Sequence, residues 1–140
     1  MKRQMAATIV QQSWRQMGCR QDGLGGLFYA SLFGANPHLR PLFPSSLEEQ
    51  ERKFKETLAF VVQSADAVDD KVARELNALG RRHKAYGARP EHYPIVCHVL
   101  IAVLAKSLGT DWTEEAARAW QAVLDRVCAE MLKETESGTD

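Results

Sequence analysis

The sequence has few cysteines and no net charge, and these two absences exclude several classes of protein. Its 140 residues include three cysteines, Cys19, Cys97 and Cys128, at wide spacing and with no CxxC pair. An odd count at such spacing argues against a disulfide scaffold or a structural zinc site, so we interpret the three cysteines as small hydrophobic core residues. The 18 basic residues equal the 18 acidic residues in number. No bulk charge therefore favours binding to nucleic acid or to an anionic membrane surface.

Long apolar runs and familiar catalytic motifs are also absent. The longest apolar stretch, residues 95–105, is interrupted by His98, whereas a helix that spans a bilayer needs about 20 residues. We therefore expect no membrane span, and since the N-terminus lacks a signal-peptide core, a cytoplasmic location. There is no glycine-rich phosphate loop, no GxSxG and no HExxH motif. Length and 45% hydrophobic content indicate one globular domain over residues 1–140, with residues 1–2 and 135–140 frayed.

Helical periodicity dominates the chain, and no stretch alternates apolar and polar residues as a strand would. Candidate capping residues are Asn36, Ser46, Asp69 and either Asp111 or Thr113. We predict seven helices, one of them very short: residues 3–17, 24–34, a short one that begins at Pro37, one that begins after Ser46, 70–86, 93–108, and 113 to about 134. Glycines 25 and 26 inside the second helix predict that another helix crosses closely there.

Two polar residues lie on or beside apolar helix faces, where they could serve a bound group. His83 continues the apolar stripe of its helix, and Gln50 lies one turn before Phe54 at the start of the facing stripe. A histidine in such a position is most often a satisfied core residue, although a neutral imidazole is also a good iron ligand. A glutamine at a helix start is usually solvated. From position alone, both interpretations stay open for each residue.

Two aromatic residues are equally ambiguous when each is considered alone. Tyr29 follows Phe28 in the second helix, and a buried tyrosine usually needs only one partner for its hydroxyl group. Phe43 lies in the proline-rich segment Pro41-Leu42-Phe43-Pro44, where an aromatic ring normally fills the core.

Taken together, these residues and their surrounding blocks resemble the globin family over about residues 3–134. The closest similarity is to single-domain bacterial haemoglobins and to the globin half of flavohaemoglobins. The blocks that carry the resemblance are Leu27-Phe28-Tyr29 with Leu32-Phe33, Pro37 with Leu39-Arg40-Pro41-Leu42-Phe43, Leu79-Gly80-Arg81-Arg82-His83 with Tyr86-Gly87, Glu91-His92-Tyr93-Pro94-Ile95-Val96, and Ala119-Trp120. The resemblance implies an all-α globin fold, with three helices over three around one haem b per chain.

The resemblance also implies a role for each matching position. His83 would be the proximal iron ligand, and Phe43 would stack on the porphyrin. Tyr29 and Gln50 would be distal hydrogen-bond donors to a diatomic ligand such as O2, CO or NO, and Phe54 would follow them along the distal wall. The remaining positions that would contact the haem are Leu42, Lys53, Leu79, Arg82, Tyr86, Ala88, Tyr93 and Val96. Lys53 or Arg82 could pair with a propionate, although plain solvation is an equal alternative for a long cation.

The sequence departs from the flavohaemoglobin pattern in three places. Because the sequence ends at Asp140, we expect no flavin- and NAD(P)H-binding module of the kind found in that family. Thr135 stands where the family has a glutamate linked to the proximal histidine, with Glu134 and Glu136 on either side. Leu124 replaces an aromatic residue that is common in the last helix of relatives. A weaker proximal network would reduce electron donation from His83 and so weaken peroxide-type chemistry.

Two functions remain, and they belong to different classes. The first is a binding protein that takes up O2 and other diatomics tightly and reversibly, for storage, scavenging or supply. The second is an enzyme, a nitric oxide dioxygenase that makes nitrate from NO and O2 and depends on a separate reductase. We expect no nucleic-acid or membrane partner, and the sequence leaves monomer and homodimer equally open.

Overall fold

The computed structural model of the protein describes residues 2–43 and 45–137. The helices are α1 (Lys2–Met17), α2 (Gln21–Ala35), α3 (Leu47–Gln63), α4 (Asp70–Ala85), α5 (His92–Leu108) and α6 (Glu114–Ser137), with short 3-10 helices at Gly18–Arg20, Pro37–Leu42 and Gly109–Asp111. No strand occurs in those two described ranges, and the all-α prediction is confirmed. Of the residues predicted to fray, 1–2 and 135–140, residue 2 lies in α1 and residues 135–137 lie in α6, while residues 1 and 138–140 lie outside the described residues.

Side-chain caps begin three of the helices as the sequence predicts. The Ser46 hydroxyl oxygen accepts a hydrogen bond from the Glu49 amide at 3.2 Å. The Asp69 carboxylate accepts one from the Val72 amide at 2.8 Å. At α6 the capping residue is Thr113 and not Asp111: the Thr113 hydroxyl oxygen accepts a hydrogen bond from the Ala116 amide at 3.0 Å. Each bond satisfies an amide that the first helical turn leaves without an intrahelical partner.

The prediction that Asn36 caps a helix is wrong. Its side-chain amide donates to the Leu32 carbonyl at 3.3 Å, back toward the end of α2. The segment that begins at Pro37 is a 3-10 helix without a side-chain cap. Asn36 therefore closes the preceding helix, because its main-chain amide and its side-chain amide both donate to the Leu32 carbonyl.

The helices pack in two groups around a common core. α6 packs against α1, α4 and α5, while α2 packs against α3 and α5. Trp120 of α6 and Leu24 of α2 are completely buried in this core. Leu27 of α2 is 43% exposed, whereas Leu24 and Phe28 of the same helix are buried.

The close crossing predicted at Gly25 and Gly26 is confirmed. A Cβ atom on Gly25 would lie 3.3 Å from the Glu51 Cα, and one on Gly26 would lie 3.0 Å from the Glu51 carboxylate. Lys55 of α3 forms an ion pair with Asp22 of α2 beside the crossing. The absence of side chains at the two glycines thus lets α3 approach α2, which fixes the position of the helix that carries Gln50.

A second close crossing joins α4 to α6. A Cβ atom on Gly80 would lie only 2.1 Å from the Met131 main-chain oxygen. The Asn77 side-chain amide donates to the Glu130 carbonyl at 2.8 Å, one turn away. Together these contacts fix α4, and with it His83, on the surface of α6.

One helical segment, His92–Asp111, is long and apolar enough to cross a membrane by length and composition. A core helix passes the same test. In this protein α5 packs against α1, α2 and α6. Its buried side chains are Cys97, Val99, Leu100, Val103, Leu104 and Leu108.

Candidate functional site

A cleft separates α3 from α4. Since α3 packs on α1 and α2 while α4 packs on α6, the two helices rest on different supports and face one another across a gap. A cavity of about 160 Å³ opens there, lined by Glu56, Thr57 and Phe60 of α3 and by Glu75, Leu79 and Arg82 of α4. The cleft therefore lies between the two helices that carry the predicted site residues.

The imidazole of His83 is held in one orientation at this cleft. Its Nδ1 lies 2.8 Å from the Leu79 carbonyl oxygen, and since a carbonyl can only accept, Nδ1 carries the hydrogen. Burial lowers the pKa of His83 and the Arg82 charge lowers it further, against the raising effect of the Leu79 bond. The neutral ring then keeps an available lone pair on Nε2, which is the form that binds a metal.

Tyr29 and Gln50 meet at the start of α3. Both side chains are buried, at 6% and 8% exposure. The Tyr29 hydroxyl donates to the Gln50 main-chain oxygen at 3.4 Å, which is long for an O–H···O bond. Burial raises the pKa of Tyr29 to about 12, with a contribution from the Glu51 charge. The hydroxyl is therefore a neutral donor that is only weakly engaged.

Aromatic rings surround that hydroxyl group. The Tyr29 ring contacts Phe43 edge to face at a centroid distance of 5.5 Å, and Phe54 at 5.9 Å. Phe54 also stacks on Phe28 at 4.7 Å, and Phe33 contacts both Tyr29 and Phe43. The cluster brings three predicted site residues together and makes the surroundings of the hydroxyl apolar.

Other predicted site residues lie where α4 ends. Gly87, with a φ of +103°, would place a Cβ atom 3.0 Å from a Leu42 methyl carbon. The Ala88 amide donates to the His83 carbonyl at 3.0 Å. Tyr86 lies beside them but is 49% exposed. The turn therefore brings Leu42 and Ala88 to the His83 end of α4 and leaves Tyr86 largely in solvent.

The two predicted propionate partners lie on opposite helices. Lys53 of α3 is half-buried and its ammonium donates to the Ser45 hydroxyl at 3.3 Å. Arg82 of α4 lines the cavity. Arg82 thus lies at the cleft, and Lys53 lies in the first half of α3, one of the two helices that bound the cleft.

On the α5 side, Tyr93 lies near His83, with ring centroids 6.4 Å apart. Its hydroxyl group is buried without a hydrogen-bond partner among the described residues, and burial raises its pKa. Val96, three residues along the same helix, is half-buried against the core. The side chains of Glu134, Thr135 and Glu136 lie outside the described residues, so the expectation of a weakened proximal network stays a prediction.

Sequence reasoning missed four of the residues that line the cavity, Glu56, Thr57, Phe60 and Glu75. A signal exists for Thr57, because a step of seven residues from Gln50 along a helix returns to nearly the same face.

These features fit a haem group. On α4, the helix that bounds one side of the cleft, His83 is an oriented and neutral imidazole; α2 and α3 carry an aromatic cluster and the weakly engaged Tyr29 hydroxyl, and such groups suit a haem held through a histidine. The Tyr93 hydroxyl beside His83 has no hydrogen-bond partner among the described residues, so it is a further polar group that a bound molecule could satisfy. His83 would bind the iron, and Phe43, Leu79 and the two cations would contact the macrocycle.

Comparisons with known proteins agree with this interpretation. The family model described as Globin matches residues 26–131. A flavohemoprotein of Bordetella pertussis is 32% identical over 97 residues, which cover 68% of this chain and 24% of the relative. A Pseudomonas aeruginosa protein described as structurally highly homologous to a human hemoglobin has a TM-score of 0.80 at 26% identity, over 92% of this chain and 97% of its own.

A second similar structure is that of a candidate nitric oxide dioxygenase from Rhodothermus marinus, which was engineered as a carbene transferase. Its TM-score is 0.84 at 23% identity, over 96% of this chain and 94% of its own, so the likeness concerns the fold. The chain spans about a quarter of the length of the flavohemoproteins that it matches.

Proposed function

Since the chain belongs to the globin family and is therefore a haem-binding protein, we propose that it binds O2 and other diatomics reversibly and with high affinity. Storage, scavenging or supply of oxygen would all use this property. We further propose one haem b per chain, with His83 as the proximal ligand and Tyr29 and Gln50 as distal donors. A ferrous haem held by His83 would supply the iron that binds a diatomic ligand.

The observation that carries this proposal is the environment of the Tyr29 hydroxyl. Tyr29 is buried among aromatic rings, and its hydroxyl is neutral at ordinary pH. The hydrogen bond from this hydroxyl to the Gln50 main-chain oxygen is long, at 3.4 Å, and therefore weak. A small rotation of the Tyr29 hydroxyl would therefore exchange the weak bond to the Gln50 main-chain oxygen for a stronger bond to a bound ligand. In apolar surroundings a donor to a partly charged ligand atom contributes more than it does in water.

Gln50 would supply the second donor. Its side chain is 8% exposed, and its amide can donate without offering the basic nitrogen that would compete for iron. Two donors that favour the bound state slow dissociation. This arrangement supports tight retention of oxygen over rapid delivery.

The first test is an absorption spectrum of the purified chain reduced with dithionite, before and after carbon monoxide. We expect a haem spectrum with a sharp Soret band that shifts when CO binds. No haem band after addition of haemin would refute haem binding, and a band that does not shift would refute an open ligand position.

A second candidate function is nitric oxide dioxygenation. The observations in its favour are the similarity to flavohemoproteins and to the Rhodothermus marinus structure. The test is consumption of NO in the presence of O2, NADH and a separate reductase. Turnover well beyond one NO per haem would support the enzyme, and consumption that stops at one per haem would leave the binding function alone.

A further inference from the structure

Two cysteines that are 31 positions apart in the chain meet between α5 and α6. The Sγ atoms of Cys97 and Cys128 lie 3.4 Å apart, and both thiols are free. Cys97 is 8% exposed and Cys128 is half-buried. Sequence spacing gave no indication of this pair, because the contact depends on how the two helices cross.

The contact is an arrangement suited to disulfide formation. A disulfide needs its sulfur atoms about 2.05 Å apart, so the two sulfurs must move toward each other by a little over 1 Å. Both residues lie within packed helices, where side-chain rotation can supply a movement of that size. The third cysteine, Cys19, is exposed in the 3-10 helix that follows α1.

The two thiols are not chemically equivalent. The hydrogen bond from Cys128 lowers the pKa of Cys97, whereas the same bond, together with burial, raises the pKa of Cys128. Cys97 is thus the thiol that ionises more readily and becomes the nucleophile. Cys128 is positioned as the resolving thiol.

We propose that Cys97 and Cys128 are a redox-active pair that forms a reversible intramolecular disulfide on reaction with hydrogen peroxide. The Cys97 thiolate attacks one peroxide oxygen, the O–O bond breaks, and the departing hydroxide takes up the proton that the Cys97 thiol released, so that a sulfenic acid and one water result. The Cys128 sulfur then attacks the sulfenic sulfur, forming the S–S bond and releasing a second water. The two sulfurs together lose two electrons, which reduce one peroxide to two waters.

The location gives this bond a structural consequence. Cys97 lies one helical turn beyond Tyr93 on α5, and Cys128 lies one turn before Leu132 on α6, the helix on which Gly80 of α4 rests. A disulfide would tie α5 to the helix that supports α4. It would also limit the unfolded ensemble, since it closes a long loop.

The test treats the purified full chain with a few equivalents of hydrogen peroxide, alkylates the remaining thiols after denaturation, and maps the peptides by mass spectrometry. We expect one cross-linked peptide pair that contains Cys97 and Cys128, a mass loss of about 2 Da from the two thiol hydrogens, and full recovery of both thiols with dithiothreitol. Two free alkylated thiols, or sulfinic acids without a cross-link, would overturn the proposal.

Matched variants separate the pair from single-thiol reactivity. Cys19→Ala should form the same disulfide, and its midpoint of thermal unfolding should rise on oxidation. Cys19→Ala/Cys128→Ser leaves Cys97 as the single thiol, so the mass loss of about 2 Da should not occur. Peroxide should also oxidise Cys97 at least tenfold more slowly in this variant than in Cys19→Ala, which keeps the pair. Equal oxidation rates in the two variants would contradict a cooperating pair. Thiol mapping does not depend on haem, so failure here is distinguishable from failure of the proposed function.

Discussion

The hydroxyl group of Tyr29 lies 3.4 Å from the main-chain oxygen of Gln50, at the start of the helix that forms one wall of the cleft. This contact joins α2 to α3 close to the crossing at Gly25, where the two backbones approach most closely. The distance is long enough that the bond contributes little. Tyr29 is thus positioned by its aromatic neighbours more than by its hydrogen bond, and its hydroxyl group remains available to a ligand.

Replacement of Tyr29 with Phe should speed oxygen dissociation at least tenfold. The variant keeps the ring contacts and removes only the donor, and tenfold corresponds to about 1.4 kcal/mol, the size of one hydrogen bond to a partly charged acceptor. Stopped-flow displacement of O2 by CO measures the rate. Gln50→Leu should act in the same direction. An unchanged dissociation rate in the Phe variant would remove Tyr29 from the binding mechanism.

Replacement of His83 with Ala should abolish stable retention of haem. His83 is an oriented, neutral imidazole on α4, the helix that bounds the cleft, and the Leu79 carbonyl holds it in the tautomer that binds a metal. Transfer of haem to an acceptor protein measures retention, and added imidazole should partly restore binding. His98→Ala is the matched control, because His98 is exposed on α5. Equal loss in both variants would contradict the proximal role.

Replacement of Gly80 with Ala should destabilise the fold by about 2 kcal/mol or more. The new methyl group would lie 2.1 Å from the Met131 oxygen, so α4 must move away from α6, and overpacking usually costs 1–3 kcal/mol. Gly34→Ala is the control, since a Cβ there meets nothing within 4 Å and Ala favours the helix by up to about 1 kcal/mol. Urea unfolding of both variants measures the difference, and similar midpoints would refute the close crossing.

Alkaline pH should weaken the fold through Tyr29. Its pKa rises from 10.0 to about 12 in the folded protein because it is buried. Since the unfolded state loses this proton first, the stabilising contribution is complete below pH 10 and declines between pH 10 and about 12. The slope is about 1.4 kcal/mol per pH unit for one proton.

The Tyr29→Phe variant isolates this contribution from the other groups that titrate at alkaline pH. The difference in unfolding free energy between the wild type and the variant should shrink from pH 10 upward. Tyrosinate absorbance near 295 nm gives an independent measurement: burial raises the pKa of both Tyr29 and Tyr93, and the Tyr29→Phe variant should lack one of these two late-titrating tyrosines. A pH-independent difference between the two proteins would contradict the assigned environment.

Much of this fold is determined by local sequence alone. Ser46, Asp69 and Thr113 begin their helices because each carries a short side chain that can satisfy free amides within three residues. Gly25 and Gly26 indicate a close approach because nothing else explains two glycines inside a helix. The apolar stripe that includes His83 likewise follows from the helical repeat.

Tertiary structure decided what those elements meet. Asn36 turned back to α2, although its spacing before Pro37 is that of a cap, because its side-chain amide donates to the Leu32 carbonyl, which also accepts from its main-chain amide. Leu27 is exposed while its neighbours are buried. Thr57 and Phe60 line the cleft because α3 packs on α1 and α2 while the facing helix α4 packs on α6.

The contrast is sharpest for the residues that carry chemistry. The helical repeat places His83 on a face, but only the Leu79 carbonyl decides which of its nitrogens is available. Cys97 and Cys128 are 31 positions apart in sequence, and only the crossing of α5 and α6 makes them neighbours. Helix starts and faces depend on contacts within a few residues, which the sequence contains. The cleft, the Tyr29 environment and the thiol pair depend on how helices distant in sequence pack, and only the tertiary structure determines that.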